Sequence, residues 1–229
     1  WQDHIPEGVR VLPSYEDICG DDPESKSLFA HAQHIFHKEQ TPGCARILVQ
    51  EHGSMTVVIN PPQPGLNTAE LDAIFALPYT KLAHPDYGGA RIPAYEMVRF
   101  SINVMRGCFG GCTFCSITMH QGRAIQSRSK ESILKEVEAL AAQPDFKGNI
   151  SDLGGPTANM YRMRCSKPEV EKVCRRLSCV HPTVCKLLDT DHAPTVELLR
   201  EAREVDGVKR VHVASGIRMD LAANEDEYL

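Results

Sequence analysis

Three cysteines, Cys108, Cys112 and Cys115, fall within eight positions at the spacing C-x3-C-x2-C. Thiolates are soft ligands, and three of them in one short loop can occupy three corners of a [4Fe–4S] cubane while the fourth iron keeps no protein ligand. Gly107, Gly110 and Gly111 stand among them. They supply the positive φ values and close backbone approach that a chain wrapped round a cluster needs. The rival metal reading is zinc completed by His120, five residues past Cys115. Structural zinc usually draws on two separated knuckles, which this run does not provide. Inert packing thiols do not account for three in eight residues. The expected chemistry is iron–sulfur with one open coordination position.

A second group, Cys165, Cys174, Cys179 and Cys185, has the spacing C-x8-C-x4-C-x5-C. Four thiols can hold an auxiliary cluster or a zinc. Against that, Cys174 falls on the apolar face of a predicted helix with Val170, Val173 and Leu177, where a buried cysteine behaves as a small hydrophobe. The group is therefore expected to be structural and metal-free. Cys19 and Cys44 are isolated and read as packing residues. His31, His34 and His37 recur every three residues, but such steps on a helix splay the outer pair, so a solvated or half-buried face is expected.

The elements that must position the triplet alternate in type. Val98–Met105 reads as a strand ending just before Gly107 and the cysteines. Ser129 caps a helix carrying Ile133, Leu134, Val137, Leu140 and Ala141 on one face. Asn149–Leu153 is a second strand, ending in Gly154, Gly155 and Pro156. Ser166, Lys167, Pro168 and Glu169 form a capping box that predicts a helix with Val170, Val173 and Leu177 inward. Pro194 and Thr195 open another, with Leu198, Leu199, Ala202 and Val205 inward. Val208–Ala214 is a third strand, ending at Ser215 and Gly216. Strands separated by helices and closed by Gly-rich loops imply parallel βαβ units with chemistry at the strand carboxyl ends.

Upstream, short helices are expected at 14–19 and from Pro23 to Phe36. Met55–Ile59 reads as a buried strand, Thr68 as a helix cap, and 81–92 as a breaker-rich linker with a boundary near residue 88. Two domains follow, an N-terminal α/β accessory region at 1–88 and a core at 89–229. The core is too short to close a (β/α)8 barrel, which takes about 250 residues. The expected fold class is α/β, a partial parallel (β/α) barrel. The Trp at position 1 and the apolar last residues suggest a piece of a longer chain.

Composition bounds the rest. Twenty-five basic against 30 acidic residues give a net charge of −5, so no basic field is available to hold a phosphate backbone, and generic nucleic-acid binding is disfavoured. No apolar run is long enough to span a bilayer and no secretion signal opens the chain, so a cytoplasmic, non-membrane protein with reduced thiols is expected.

The run from Arg106 to Cys115, with Phe114 just before the third cysteine, resembles the signature of the radical S-adenosylmethionine (SAM) superfamily. The surroundings, from Arg91 through 150–161 to Cys174–Cys179, resemble its YgiQ-type subgroup. The resemblance implies a [4Fe–4S] cluster on Cys108, Cys112 and Cys115, SAM as second cofactor, and Phe114 against its adenine. It implies cleavage of SAM to a 5′-deoxyadenosyl radical that abstracts hydrogen from a substrate the subgroup does not identify. A flavodoxin- or ferredoxin-like reductant would supply the electron. The superfamily's Gly-Gly-Glu-Pro-like loop is met in part by Gly154, Gly155, Pro156 and Thr157, where the glutamate is missing. Gly154 and Gly155 are candidates for the SAM amino group, and Ser215 and Arg218 for its ribose and carboxylate. For Arg218 a surface ion pair with Asp220 is the competing reading. The competing function is a non-catalytic iron–sulfur or zinc module for interaction or electron transfer.

Overall fold

The computed structural model describes residues 8–223, so the chain ends discussed above lie outside the described residues. In chain order the elements are β1 (Arg10–Val11), α1 (Tyr15–Ile18), α2 (Pro23–Lys38), β2 (Leu48–His52), β3 (Met55–Ile59), α3 (Thr68–Phe75) and α4 (Pro93–Val98). There follow β4 (Ser101–Asn103), β5 (Met105–Arg106), α5 (Ile117–Gln121), β6 (Gln126–Ser127), α6 (Lys130–Ala141), β7 (Asn149–Ile150) and β8 (Asp152–Gly154). The last are α7 (Pro168–Glu171), α8 (Ala193–Glu204), β9 (Arg210–Val211) and α9 (Met219–Ala222). The fold is α/β with short parallel pairings, and no closed barrel forms among the described residues.

The chain divides into two units. The first joins the N-terminal segment through Pro64 with Phe109–Arg123 and Cys165–Leu187; the second joins Gly65–Cys108, Ala124–Arg164 and the chain from Leu188 onward.

In the first unit β1 lies parallel to β2, and β2 pairs antiparallel with β3 over its whole length. Ser14 and Asp17 form a capping box at α1, and the Asp22 carboxylate caps α2 through the backbone N–H groups of Glu24 and Ser25. His31 and His34 are exposed and His37 is half-buried, as expected of a solvated face. β3 is a strand but not a buried one: Met55 is 70% exposed and Val57 and Val58 are partly exposed. It is an edge strand of its sheet, a state that an apolar run alone does not distinguish from burial.

In the second unit the run 149–154 is flanked on both sides. β8 pairs parallel with β4, and β7 pairs parallel with β9. The Leu153 N–H to His212 carbonyl bond (2.8 Å) carries the latter pairing past β9. Helix α6 lies in sequence between β4 and β7, and α8 between β8 and β9, which is the expected βαβ order. Ser129 caps α6 by accepting from the Ser132 N–H (3.1 Å), and the i, i+4, i+7 face of Ile133, Val137 and Leu140 is buried. With Ile102, Val104, Met105, Ile150, Leu153, Leu198 and Val211 these residues make the core of the unit. Each buried aliphatic side chain contributes about 1.5–3 kcal/mol.

Three local expectations are corrected. Val98–Met105 is not one strand: α4 ends at Val98, β4 covers Ser101–Asn103, and Met105 and Arg106 turn to pair antiparallel with Gln126 and Ser127. The cap of α3 is Asn67, one residue earlier than Thr68, with Glu70 completing a capping box. The helix predicted from Ser166 is only Pro168–Glu171, and Lys167 precedes it without a side-chain cap. Its supposed inward residues Val170, Val173 and Leu177 are 36%, 59% and 38% exposed. Arg175 and Arg176 take over where the ladder stops, donating to the carbonyls of Lys38, Ser178 and Thr183.

Candidate metal centre

The β5–β6 pairing brings the two ends of the cysteine loop together, Met105 opposite Ser127 and Arg106 opposite Gln126. Gly107 and Gly111 take φ values of 86° and 61°, as a tight wrap requires; Gly110 does not take a positive φ and instead accepts at its carbonyl from Ser178 Oγ (2.7 Å). Gly111 has no room for a side chain, because a Cβ there would run into the Leu177 carbonyl. The boundary between the units falls inside the loop. Cys108 closes a segment of the second unit, buried, with its Sγ 3.9 Å from Thr157 Oγ1. Cys112 and Cys115 belong to the first unit, are half-buried, and are joined by a turn in which the Cys115 N–H donates to the Cys112 carbonyl (3.1 Å). No disulfide joins any of the nine cysteines. Phe114 is 91% exposed, so it serves no core.

Among the described residues no three His, Cys, Asp or Glu side chains stand close enough to share one metal ion, and His120 is exposed on α5. A mononuclear zinc on the triplet and His120 is thus not assembled here. An iron–sulfur cubane takes one thiolate per iron, so its sulfurs lie further apart than the ligands of a single ion. The donor set, soft thiols on a loop with two left-handed glycines, fits the cluster.

The other candidate residues cluster in the second unit. Gly154 ends β8, and a Cβ there would strike Ser215 Oγ. The Gly155 N–H donates to Ser215 Oγ (3.3 Å). The Asp152 carboxylate accepts from the Ala214 N–H (2.8 Å), the Ser215 N–H (3.1 Å) and Ser215 Oγ (3.2 Å). Arg218 donates to Asp220 through Nε (2.9 Å) and Nη2 (2.5 Å), and that pair holds the Asp220 carboxyl below its usual pKa. Asn159, wholly buried, donates from Nδ2 to the Arg218 carbonyl (3.0 Å) and accepts at Oδ1 from the Arg218 N–H (2.8 Å). Asp152 and Asn159 were missed in sequence. The signal for Asp152 was a charge inside a short apolar strand directly before Gly-Gly; a buried Asn in a loop leaves none.

The second cysteine group lies in the first unit and, apart from α7, is irregular. Burial pushes the Cys179 thiol up to about 11; Arg123 opposes the rise, and Cys174 and Cys185 add to it. Its backbone is tied to the triplet loop, the Cys179 N–H donating to the Phe109 carbonyl (3.0 Å).

Comparison with known proteins agrees with this chemistry. Residues 2–101 match the family model described as Radical SAM N-terminal, and residues 102–214 match that of the Radical SAM superfamily. The chain is 58% identical over 220 residues to the UPF0313 protein YgiQ of Salmonella typhimurium and 57% identical to that of Escherichia coli K12. A UPF0313 protein of Shewanella oneidensis is 56% identical. Each alignment covers 96% of this chain but only 28–30% of the relative, so the chain spans less than a third of these proteins.

Proposed function

Since the chain belongs to the radical SAM superfamily, we propose that the complete protein is an enzyme that binds a [4Fe–4S] cluster through Cys108, Cys112 and Cys115 and cleaves SAM. The observation that carries this reading is the thiol triplet on a glycine-turned loop whose ends are clamped by β5 and β6. When bound, the group supplies an electron to the SAM sulfonium, giving methionine and a 5′-deoxyadenosyl radical able to abstract hydrogen from a substrate.

The chain's own residues hold and orient. Cys108 is buried, which keeps water from the ligand it provides. Asp152 fixes Ser215 and the backbone of Ala214, and Ser215 in turn receives the Gly155 N–H, so the glycine loop after β8 has one backbone path. Carbonyls of Gly154 and Gly155 are suited to an ammonium, and Phe114 offers a ring face to adenine. Arg218 is suited to a carboxylate, but it must release Asp220 to grip one. The same proposal takes the fold as part of a (β/α) barrel, with an accessory region at 1–88 and the core from 89. It places the protein in the cytoplasm with a flavodoxin- or ferredoxin-like reductant.

The test is anaerobic reconstitution of the complete protein, reduction with dithionite, and assay of 5′-deoxyadenosine from SAM. Production that disappears in Cys112→Ala supports the reading. A reconstituted, reduced cluster whose EPR spectrum is unchanged at saturating SAM overturns it. That outcome would favour the second reading, a non-catalytic iron–sulfur module, which draws on Pro156 standing where the superfamily loop has glutamate and on Arg218 already being paired.

A further inference from the structure

We propose that Cys165, Cys174, Cys179 and Cys185 hold a second iron–sulfur cluster, separate from the triplet. The long helix expected to carry Cys174 on an apolar face, which would speak against metal, is absent. α7 stops at Glu171, and the residues meant to surround Cys174 face solvent. The helix was also what would have kept Cys165 from Cys185. In its place the chain doubles back: the Ser166 N–H donates to the Leu187 carbonyl (2.7 Å), which sets Cys165 beside the segment that follows Cys185. The Cys185 N–H donates to the Cys179 carbonyl (2.7 Å), closing the loop between them. Two closures thus set the backbone after Cys165 beside Leu187 and the backbone of Cys179 beside Cys185, while the Cys165 Sγ donates to the Lys167 carbonyl (3.5 Å). Cys174 is held by its own carbonyl, which accepts from Thr41 Oγ1 (2.8 Å) and Arg123 Nη2 (2.8 Å).

A segment of this kind needs a staple. It has almost no regular structure after Glu171, and Val173, Leu177 and Val184 remain 59%, 38% and 39% exposed, so little apolar burial pays for its ordering. All four cysteines in it are half-buried and in no disulfide, and a metal bound by such thiols would supply folding free energy. Cations stand where an anionic thiolate cluster requires them. Arg123 donates to the carbonyls of Cys174 and Arg176, and Arg176 spans the Cys179–Cys185 loop through the carbonyls of Ser178 (3.1 Å), His181 (3.4 Å) and Thr183 (3.3 Å). The inference does not depend on SAM cleavage.

The experiment is metal analysis and visible absorbance of the complete protein, purified and reconstituted anaerobically, with the triplet replaced by C108A/C112A/C115A. About two to four irons per chain, with a thiolate-to-iron charge-transfer band, are expected to remain. Adding C179A/C185A should remove them. A triplet variant that retains native circular dichroism but holds no iron overturns the assignment, as does zinc in place of iron, or iron that survives the added C179A/C185A. If the triplet variant fails to fold, C179A/C185A in the otherwise native chain should lower the iron count by the same amount and leave the triplet cluster's EPR signal. An unchanged iron count there overturns the assignment equally.

Discussion

Gly154 is the tightest point of the proposed SAM loop, since any side chain meets Ser215 Oγ. Gly154→Ala is expected to cost about 1–3 kcal/mol by overpacking. Ser215→Ala, introduced with it, should return part of that loss by removing the atom in the way. Chemical denaturation of the four species of this double-mutant cycle reads the coupling; additive losses would mean that the two positions do not press on each other. Arg218 and Asp220 give a second test at the same scale. If Arg218 must leave Asp220 to grip a SAM carboxylate, Asp220→Asn should tighten SAM binding and Arg218→Ala should weaken it, both measured as the SAM concentration needed to shift the reduced-cluster EPR signal. Equal weakening by both would show that the ion pair itself is what the loop needs. Cys108, Cys112 and Cys115 were legible as candidate ligands from spacing alone, because three cysteines within eight residues of one loop are a local pattern. Asp152 and Asn159 were not, because their partners are Ser215 and Arg218, about sixty residues away in sequence.

At the scale of elements, two buried charges set how helices and loops lock. Arg128 is 1% exposed, pairs with Glu136 on α6 (2.5 Å), donates to the Asn103 carbonyl (2.9 Å), and lies over the Phe75 ring of α3. Removing one partner of such a pair strands the other, so Arg128→Ala is expected to destabilise the second unit by about 3–5 kcal/mol. Thermal unfolding of the variant checks this; a loss below about 1 kcal/mol would show that Lys81, which also pairs with Glu136, suffices. In the first unit, burial pushes the Glu39 carboxyl up, but hydrogen bonds from Arg46 and the nearby Arg175 outweigh it and hold its pKa below the ordinary value. A carboxyl with a lowered folded pKa stabilises above its unfolded value and loses that contribution as pH falls through the folded one. Stability of the first unit should therefore fall with acidification below about pH 4.5, and Glu39→Gln should flatten that dependence in denaturation measured from pH 6 to 3. Helices α6 and α8 were read correctly because amphipathic spacing, the Ser129 cap of α6 and the proline in the first turn of α8 are local signals. The helix after Ser166 was not, since Arg175 reaching the distant carbonyls of Lys38 and Cys44 prevailed over a local capping pattern.

For the whole molecule, the chain spans about 30% of its relatives, so cofactor assembly and turnover are expected to separate. The 229-residue chain should assemble the triplet cluster, but its SAM affinity should be at least about tenfold weaker than that of the complete protein, a difference of about 1.4 kcal/mol. EPR titration of both with SAM checks this; equal affinities would mean that the SAM contacts lie wholly within this chain. By itself the sequence determined the α/β class, helices α6 and α8 with a strand on either side of each, and a candidate ligand triplet. Each of these rests on interactions between residues near in sequence: hydrophobic period, caps, and thiols within one loop. Only the tertiary structure decided that β3 is an edge, that the 98–106 run breaks into a helix and two strands, that Asp152 pins Ser215, and that the second cysteine group is doubled back on itself. Those depend on which distant backbone groups meet, and a hydrogen bond between residues sixty apart leaves no periodic trace in the order of amino acids.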